Sequence, residues 1–261
     1  MKKYAVKIGR WSFAFLFWIA VWYVIAFAVD VEMIIPFPHR VFTVLANMLI
    51  SAEFWISTLS SLMRVLLGIF ISVCLGVIIA YLMSVSNLVN TILSPMISVI
   101  KATPVASFIV IAFLWFSTSA LPTFIATLVV IPIIVANISQ GISSVNPELK
   151  DVGRVFHFSA LKKLRLIYIP SIFPFFLAAC NASLGMAWKA SVAAELIVAT
   201  RRSIGEALYY GKQNFEADSI FAWTIIIVLL SVVSEKLSIL ILNFIGKKVS
   251  FMRREGGHAS N

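Results

Sequence analysis

The side chains able to do chemistry in this chain are few and poorly placed for catalysis. His39, His157 and His258 lie far apart, so they do not suggest a shared metal or hydrolase site, and no H-E-x-x-H occurs. No G-x-x-x-x-G-K-[ST] loop is present either. Gly211-Lys212 and Gly246-Lys247 lack the preceding glycine loop and the following hydroxyl, so the chain is not expected to bind ATP. Cys74 and Cys180 both fall in apolar runs, where a thiol behaves as a small hydrophobe. No catalytic residue, cofactor or metal is expected. What remains is electrostatic. Arg64, Lys189 and Glu195 stand at or near apolar segments, where ionisable groups face a cavity or a partner rather than lipid. Lys189 and Glu195 fall on different faces of any helix that carries both, so they do not pair only with each other. Glu195 could tie two helices together through Arg64, or all three could gather in the outer half of a pathway and touch a solute. The sequence leaves both readings open.

The elements that must position these groups are membrane helices. The chain has 261 residues, of which 61% are hydrophobic and 12% charged, and its mean hydropathy is +1.00. A soluble domain of this length needs far more surface charge, so the class is an all-α polytopic membrane protein. The net charge of +10 does not indicate nucleic acid, because the basic residues cluster at the ends of spans rather than along one face. About six spans are expected: Trp11 to Val29, Thr58 to Met83, Ile92 to Phe116 with a kink at Lys101 and Pro104, Leu121 to Gln140, Ile167 to about Trp188, and Ile220 to about Val233. The first run lacks a small-x-small cleavage site and reads as a span rather than a signal peptide. Gly68 and Gly76 share one face of the second span and allow close helix packing. Coarsely, residues 1–57 hold the first span and an external connection, 58–238 a core, and 239–261 a tail. Basic residues at the amino terminus, at 150–165 and in the tail fall on one side if there are six spans, which puts both termini and that loop in the cytoplasm.

One polar island interrupts the core, Asn146 to Pro170, with a loop proper at 146–166. Asn146 can cap a helix, Pro147 fits its first position, and Glu148 and Asp151 suit its positive end. Leu149, Val152, Val155 and Phe156 follow helical spacing. His157-Phe158 marks a break, Ser159 can cap again, and Leu161, Leu164 and Ile167 form a second apolar stripe.

The island resembles the ATPase-contacting loop of binding-protein-dependent ABC importer permeases, in which Glu-Ala-Ala, three residues, Gly, nine residues and Ile-x-Leu-Pro follow one another. Asp151, Val152 and Gly153 stand at the Glu-Ala-Ala positions, His157 at the Gly, and Ile167, Ile169 and Pro170 at Ile, Leu and Pro. His157 replaces a glycine, and histidine is among the few residues enriched at positive φ. Ser60 to Val65, Ala102-Thr103-Pro104, Leu114-Trp115-Phe116, Trp188 to Glu195 and Asp218 to Ala222 are similar to the nitrate, sulfonate and taurine branch. The resemblance implies the type I ABC importer permease fold with cytoplasmic coupling helices. It also implies a prokaryotic plasma-membrane transport subunit rather than an enzyme, working with a cytosolic ABC ATPase dimer, an extracytoplasmic solute-binding protein and a second permease subunit, as a homodimer. Asp151, Val152, Gly153, Val155, Phe156, His157, Leu161, Ile167 and Pro170 would then carry the ATPase coupling. The alternative class is an ion-coupled transporter or channel subunit, for which Glu195 is the one serious intramembrane acid.

Overall fold

A computed structural model describes residues 2–258, with side chains over 9–10 and 12–244. The side chains of Lys2, Lys3, Lys7 and Trp11, and those of Lys247, Lys248, Arg253, Arg254 and His258, lie outside the described residues. The described chain is helical and contains no strand. In order the helices are α1 (Lys2–Val29), α2 (Pro38–Ile50), α3 (Ala52–Val85), α4 (Asn87–Ala102), α5 (Val105–Ala112), α6 (Leu121–Ser143), α7 (Pro147–Val155), α8 (Ala160–Lys163), α9 (Ile169–Ile197), α10 (Ile204–Gln213) and α11 (Ala217–His258).

The core is a three-helix unit of α3, α6 and α9, and close approach sets its directions. A Cβ built on Gly68 would lie 2.8 Å from the Cβ of Ala126, and one built on Gly76 would lie 2.7 Å from Cγ2 of Ile134. The step from Gly68 to Gly76 matches the step from Ala126 to Ile134, so α3 and α6 run parallel. Thr127 Oγ1 donates to the Gly68 carbonyl at 3.2 Å, adding a polar tie where the backbones meet. At the other interface Gly141 abuts Phe175 and Ile172, while Leu121 and Ile125 cluster with Ala190 and Ala194. Helix α9 therefore runs antiparallel to α6.

These directions settle the middle of the chain. Two consecutive core helices can be parallel only if the connection crosses back between them. That crossing is α4 with α5, bent by 104° at the break between them. Pro104 removes a helical donor and pushes Thr103 to extended backbone, φ −79° and ψ 132°. Five other helices are long and apolar enough to cross, giving six with the bent pair, as expected.

Several boundaries differ from the sequence reading. The fifth span does not stop near Trp188 but continues as helix to Ile197, because the alanine-rich run after it favours helix and Glu195 is satisfied inside the protein. The boundaries at 57/58 and 238/239 both fall inside continuous helices, α3 and α11. Helix α1 is held lightly, by Trp22 stacked on Phe221 at 5.6 Å and donating to the Pro36 carbonyl at 3.1 Å.

Leucine at position 68 should separate α3 from α6, since its Cβ would also meet the Thr123 carbonyl at 3.1 Å. Gly68→Leu is expected to lower stability by about 1–3 kcal/mol, the usual cost of overpacking, read as an earlier thermal transition of the purified chain.

Candidate functional site

The two ends of the α3–α6–α9 unit carry different chemistry. At one end Glu195 has no exposed surface, and its carboxylate is held from three helices. Arg64 of α3 donates from Nη1 to Oε1 at 3.0 Å. Ser61, one turn before Arg64, donates to Oε2 at 2.8 Å. The amide of Gly205 in α10 donates to the same oxygen at 3.2 Å. The Ser61 hydroxyl in turn accepts from the Ile204 amide at 3.0 Å. Two of the first amides of α10, which have no partner within their own helix, thus face this node, and the positive end of the α10 dipole lies against the carboxylate.

Backbone geometry brings α10 there. Ala199 takes φ 46°, and the Thr200 amide reaches back to the Glu195 carbonyl at 3.0 Å, closing α9 with a left-handed turn. Ser203 caps α10 by accepting from the Glu206 amide at 2.9 Å. Gly205 then lies directly on α9. A Cβ there would be 2.2 Å from the Glu195 Cβ and 2.4 Å from the Leu196 nitrogen, so no side chain fits. Thr200 Oγ1 donates to the Thr118 carbonyl at 2.9 Å, tying the same node to the turn before α6.

Lys189 does not join this group. Its side chain is exposed on another face of α9 and has no ionic partner among the described residues. Gly205 was not singled out from the sequence, and Ser61 was seen only as part of a family-like segment. Nothing local could have marked them, since they meet Glu195 only through the fold.

At the opposite end, α6 leads into the polar loop. Asn146 accepts from the Glu148 amide at 2.9 Å, with Pro147 in the first turn of α7, and Ser159 accepts from the Lys162 amide at 3.3 Å. His157 sits at φ 48°, the left-handed position expected of the glycine it replaces. The Phe158 amide bonds to the Gly153 carbonyl at 3.0 Å and the His157 amide to the Arg154 carbonyl at 3.1 Å, the paired bonds of a Schellman turn. The second half of the loop is not a separate helix. Helix α8 runs through a π-turn, Leu164–Tyr168, straight into α9 and Pro170.

The loop residues divide by role. Gly153 and Ile167 are buried against each other, a Cβ at 153 lying 2.9 Å from the Ile167 Cδ1. This contact seats α7 on the α9 rod. Val152, Val155, Phe156 and Leu161 point away from the protein, with Val155 72%, Phe156 68% and Leu161 79% exposed. Asp151 pairs with Arg154 at 3.0 Å on the solvent side, where such a pair adds little stability.

Residues 72–250 match the family described as the binding-protein-dependent transport system inner membrane component. The chain belongs to that family. Similar members include the nitrate import permease protein NrtB of Synechococcus elongatus, 31% identical over 144 residues that make up 54% of this chain and 51% of that protein. The bicarbonate transport system permease protein CmpB of the same organism is 25% identical over 171 residues, 65% of this chain and 61% of its own length. The taurine transport system permease protein TauC of Escherichia coli is 24% identical over 207 residues, 77% and 74% of the two chains. This chain thus spans about half the length of NrtB and about three fifths of CmpB.

Among solved structures, inward facing conformations of the MetNI methionine ABC transporter superpose with a TM-score of 0.61 at 16% identity, covering 74% of this chain and 94% of that one. An amino acid ABC transporter with histidines gives 0.56 at 20% identity, covering 72% and 90%. The shared fold is that of type I ABC importer permeases. In this family member the bent α4–α5 pair, the parallel α3 and α6 and the antiparallel α9 are the frame that fixes both ends.

Removing Arg64 should leave a buried carboxylate without its counter-charge. Arg64→Met is therefore expected to cost roughly 3–5 kcal/mol in stability. Gly205→Ala should also destabilise, by forcing α10 off α9. Lys189→Met should show no such loss, and parallel thermal unfolding of the three variants checks the contrast.

Proposed function

We propose that this chain is the transmembrane permease subunit of an ATP-driven ABC importer, forming the path of a small solute delivered by an extracytoplasmic binding protein. The observation that carries the reading is the loop on α7 and α8: an apolar group of four exposed side chains on an otherwise polar segment, seated on the end of a core helix. A patch of this kind, rimmed by Lys150, Arg154 and Lys162, suits a protein groove better than bulk water. Val152, Val155, Phe156 and Leu161 insert into the cytosolic ATPase, while Gly153, His157, Ile167 and Pro170 hold the insertion in place. The basic residues around the loop and termini put this end in the cytoplasm and the Glu195 node outside. A second copy completes the pathway, and the large apolar faces of α3, α4 and α11 are available to it and to lipid. Glu195, the acid an ion-coupled carrier would need, is already engaged by Arg64, Ser61 and α10, which speaks against that class.

Phe156→Asp puts a charge in the proposed interface without touching the core. The loss of an anchor worth about 2 kcal/mol or more should weaken ATPase association by roughly thirtyfold and abolish uptake, with the thermal transition unchanged. Co-purification of the cognate ATPase, followed by ATP hydrolysis in liposomes, reads the outcome. Undiminished association would remove the docking assignment. Ser144→Cys should react with an impermeant thiol reagent only from the cytoplasmic side.

A further inference from the structure

Glu195 and Arg64 neutralise each other, so the other ionisable groups within the spans stand out. On α11 these are Asp218 in the first turn and the adjacent, opposite charges of Glu235 and Lys236. On the crossings beside the core they are Lys101 and Lys189. Both are exposed, and neither has an ion pair or hydrogen bond among the described residues. No acid is left in α3, α5, α6 or α9 between the Glu195 node and the loop to match them.

Their positions converge. Lys189 is six residues, or about 9 Å, inward from Glu195 along α9. It continues a stripe of small residues, Ala178, Ala182 and Gly185, that no other helix covers, and a Cβ on Gly185 would meet nothing within 4 Å. Lys101 ends α4, just before the 104° break. Helix α5 packs on α9, with Ile109 and Ala112 clustering with Ala190 and Ala194. The chain travels from the loop end at Val85 to the Glu195 end at Leu121, so the break before α5 lies deeper than that cluster. Both lysines therefore belong to the α5–α9 side of the bundle, inside the outer boundary.

An unmatched ammonium at this depth cannot be left to lipid and requires water and an anion. We propose that Lys101, at the broken crossing, and Lys189, on the open small-residue face of α9, select a small oxyanion for passage. The two positive charges attract the solute's negative group, and the small side chains of the α9 stripe leave it room. Cationic solutes are repelled from the same stretch. This rests on the reading of the chain as a transport subunit.

Thiol labelling of the full-length chain in lipid nanodiscs tests the inference without ATPase or binding protein, so its failure is distinct from failure of Phe156→Asp. In Lys189→Cys, two methanethiosulfonate reagents are compared, one ending in a sulfonate and one in trimethylammonium, each rate scaled to that with a free small thiol. The unsubstituted chain, with Cys74 and Cys180, sets the background. With Lys101 in place, the sulfonate reagent should be favoured by roughly tenfold, the scale of charge focusing in a cleft. Adding Lys101→Glu should reverse the preference. If Lys189→Cys does not fold, Ala182→Cys on the same stripe keeps both lysines and should show the same preference. No labelling by either reagent would mean the face lies in lipid. Equal scaled rates insensitive to Lys101 would mean the position sits in bulk water. Either result overturns the proposal.

Discussion

A carboxylate with no exposed surface has to find inside the protein everything that water would have supplied. Glu195 finds it in Arg64, Ser61 and the first amides of α10, and those partners lie on three separate helices. The demand of one side chain thus fixes the register of α3 against α9, orients the short α10, and through Thr200 and Thr118 ties in the turn before α6. Each partner answers a second need as well. Ser61 satisfies an α10 amide that its own helix cannot, and Arg64 also reaches the Arg201 carbonyl at 3.4 Å. A node in which every group serves two others holds its geometry far better than an isolated ion pair.

The rest of the core relies on close approach rather than charge. Without water between helices, association in a bilayer depends on packing and on short polar contacts, and small residues allow both. Gly68, Gly76, Gly141 and Gly205 each occupy a crossing at which a methyl group would be crowded. The parallel arrangement of α3 and α6 follows from two of them, and the need for a bent crossing between those helices follows from the arrangement.

Much of this was legible in the sequence where the cause is local. The caps at Asn146 and Ser159, the left-handed turn at His157, the kink at Pro104 and the packing glycines at 68 and 76 all depend on a few neighbouring residues, and the structure has them. The end of α9 was misjudged because Lys189 and Glu195 look like the polar edge of a span. One is buried by partners more than a hundred residues away, and the other faces an open stripe. The continuity of α8 with α9 was hidden for a related reason: Ser159 is a good cap, but a π-turn lets the helix run on past it. Gly205 had no sequence signature at all, since its importance comes only from the α9 backbone it touches. Arg64, Glu195 and Lys189 could be grouped by chemistry, yet only the fold separates the matched pair from the unmatched cation.

The unbroken run from α8 through the π-turn to Ile197 makes one shaft of the loop and the Glu195 node. From Ile169 to Glu195 it is about 40 Å long, so a tilt of ~10° at one end swings the other by ~7 Å. Its near end is gripped by Gly153 on Ile167, and its far end carries α10 wedged on by Gly205. It therefore acts as a lever whose two arms lie on opposite sides of the bilayer. A push on α7 need not travel through a chain of small rearrangements to be felt at α10, because a rigid rod delivers it as rotation.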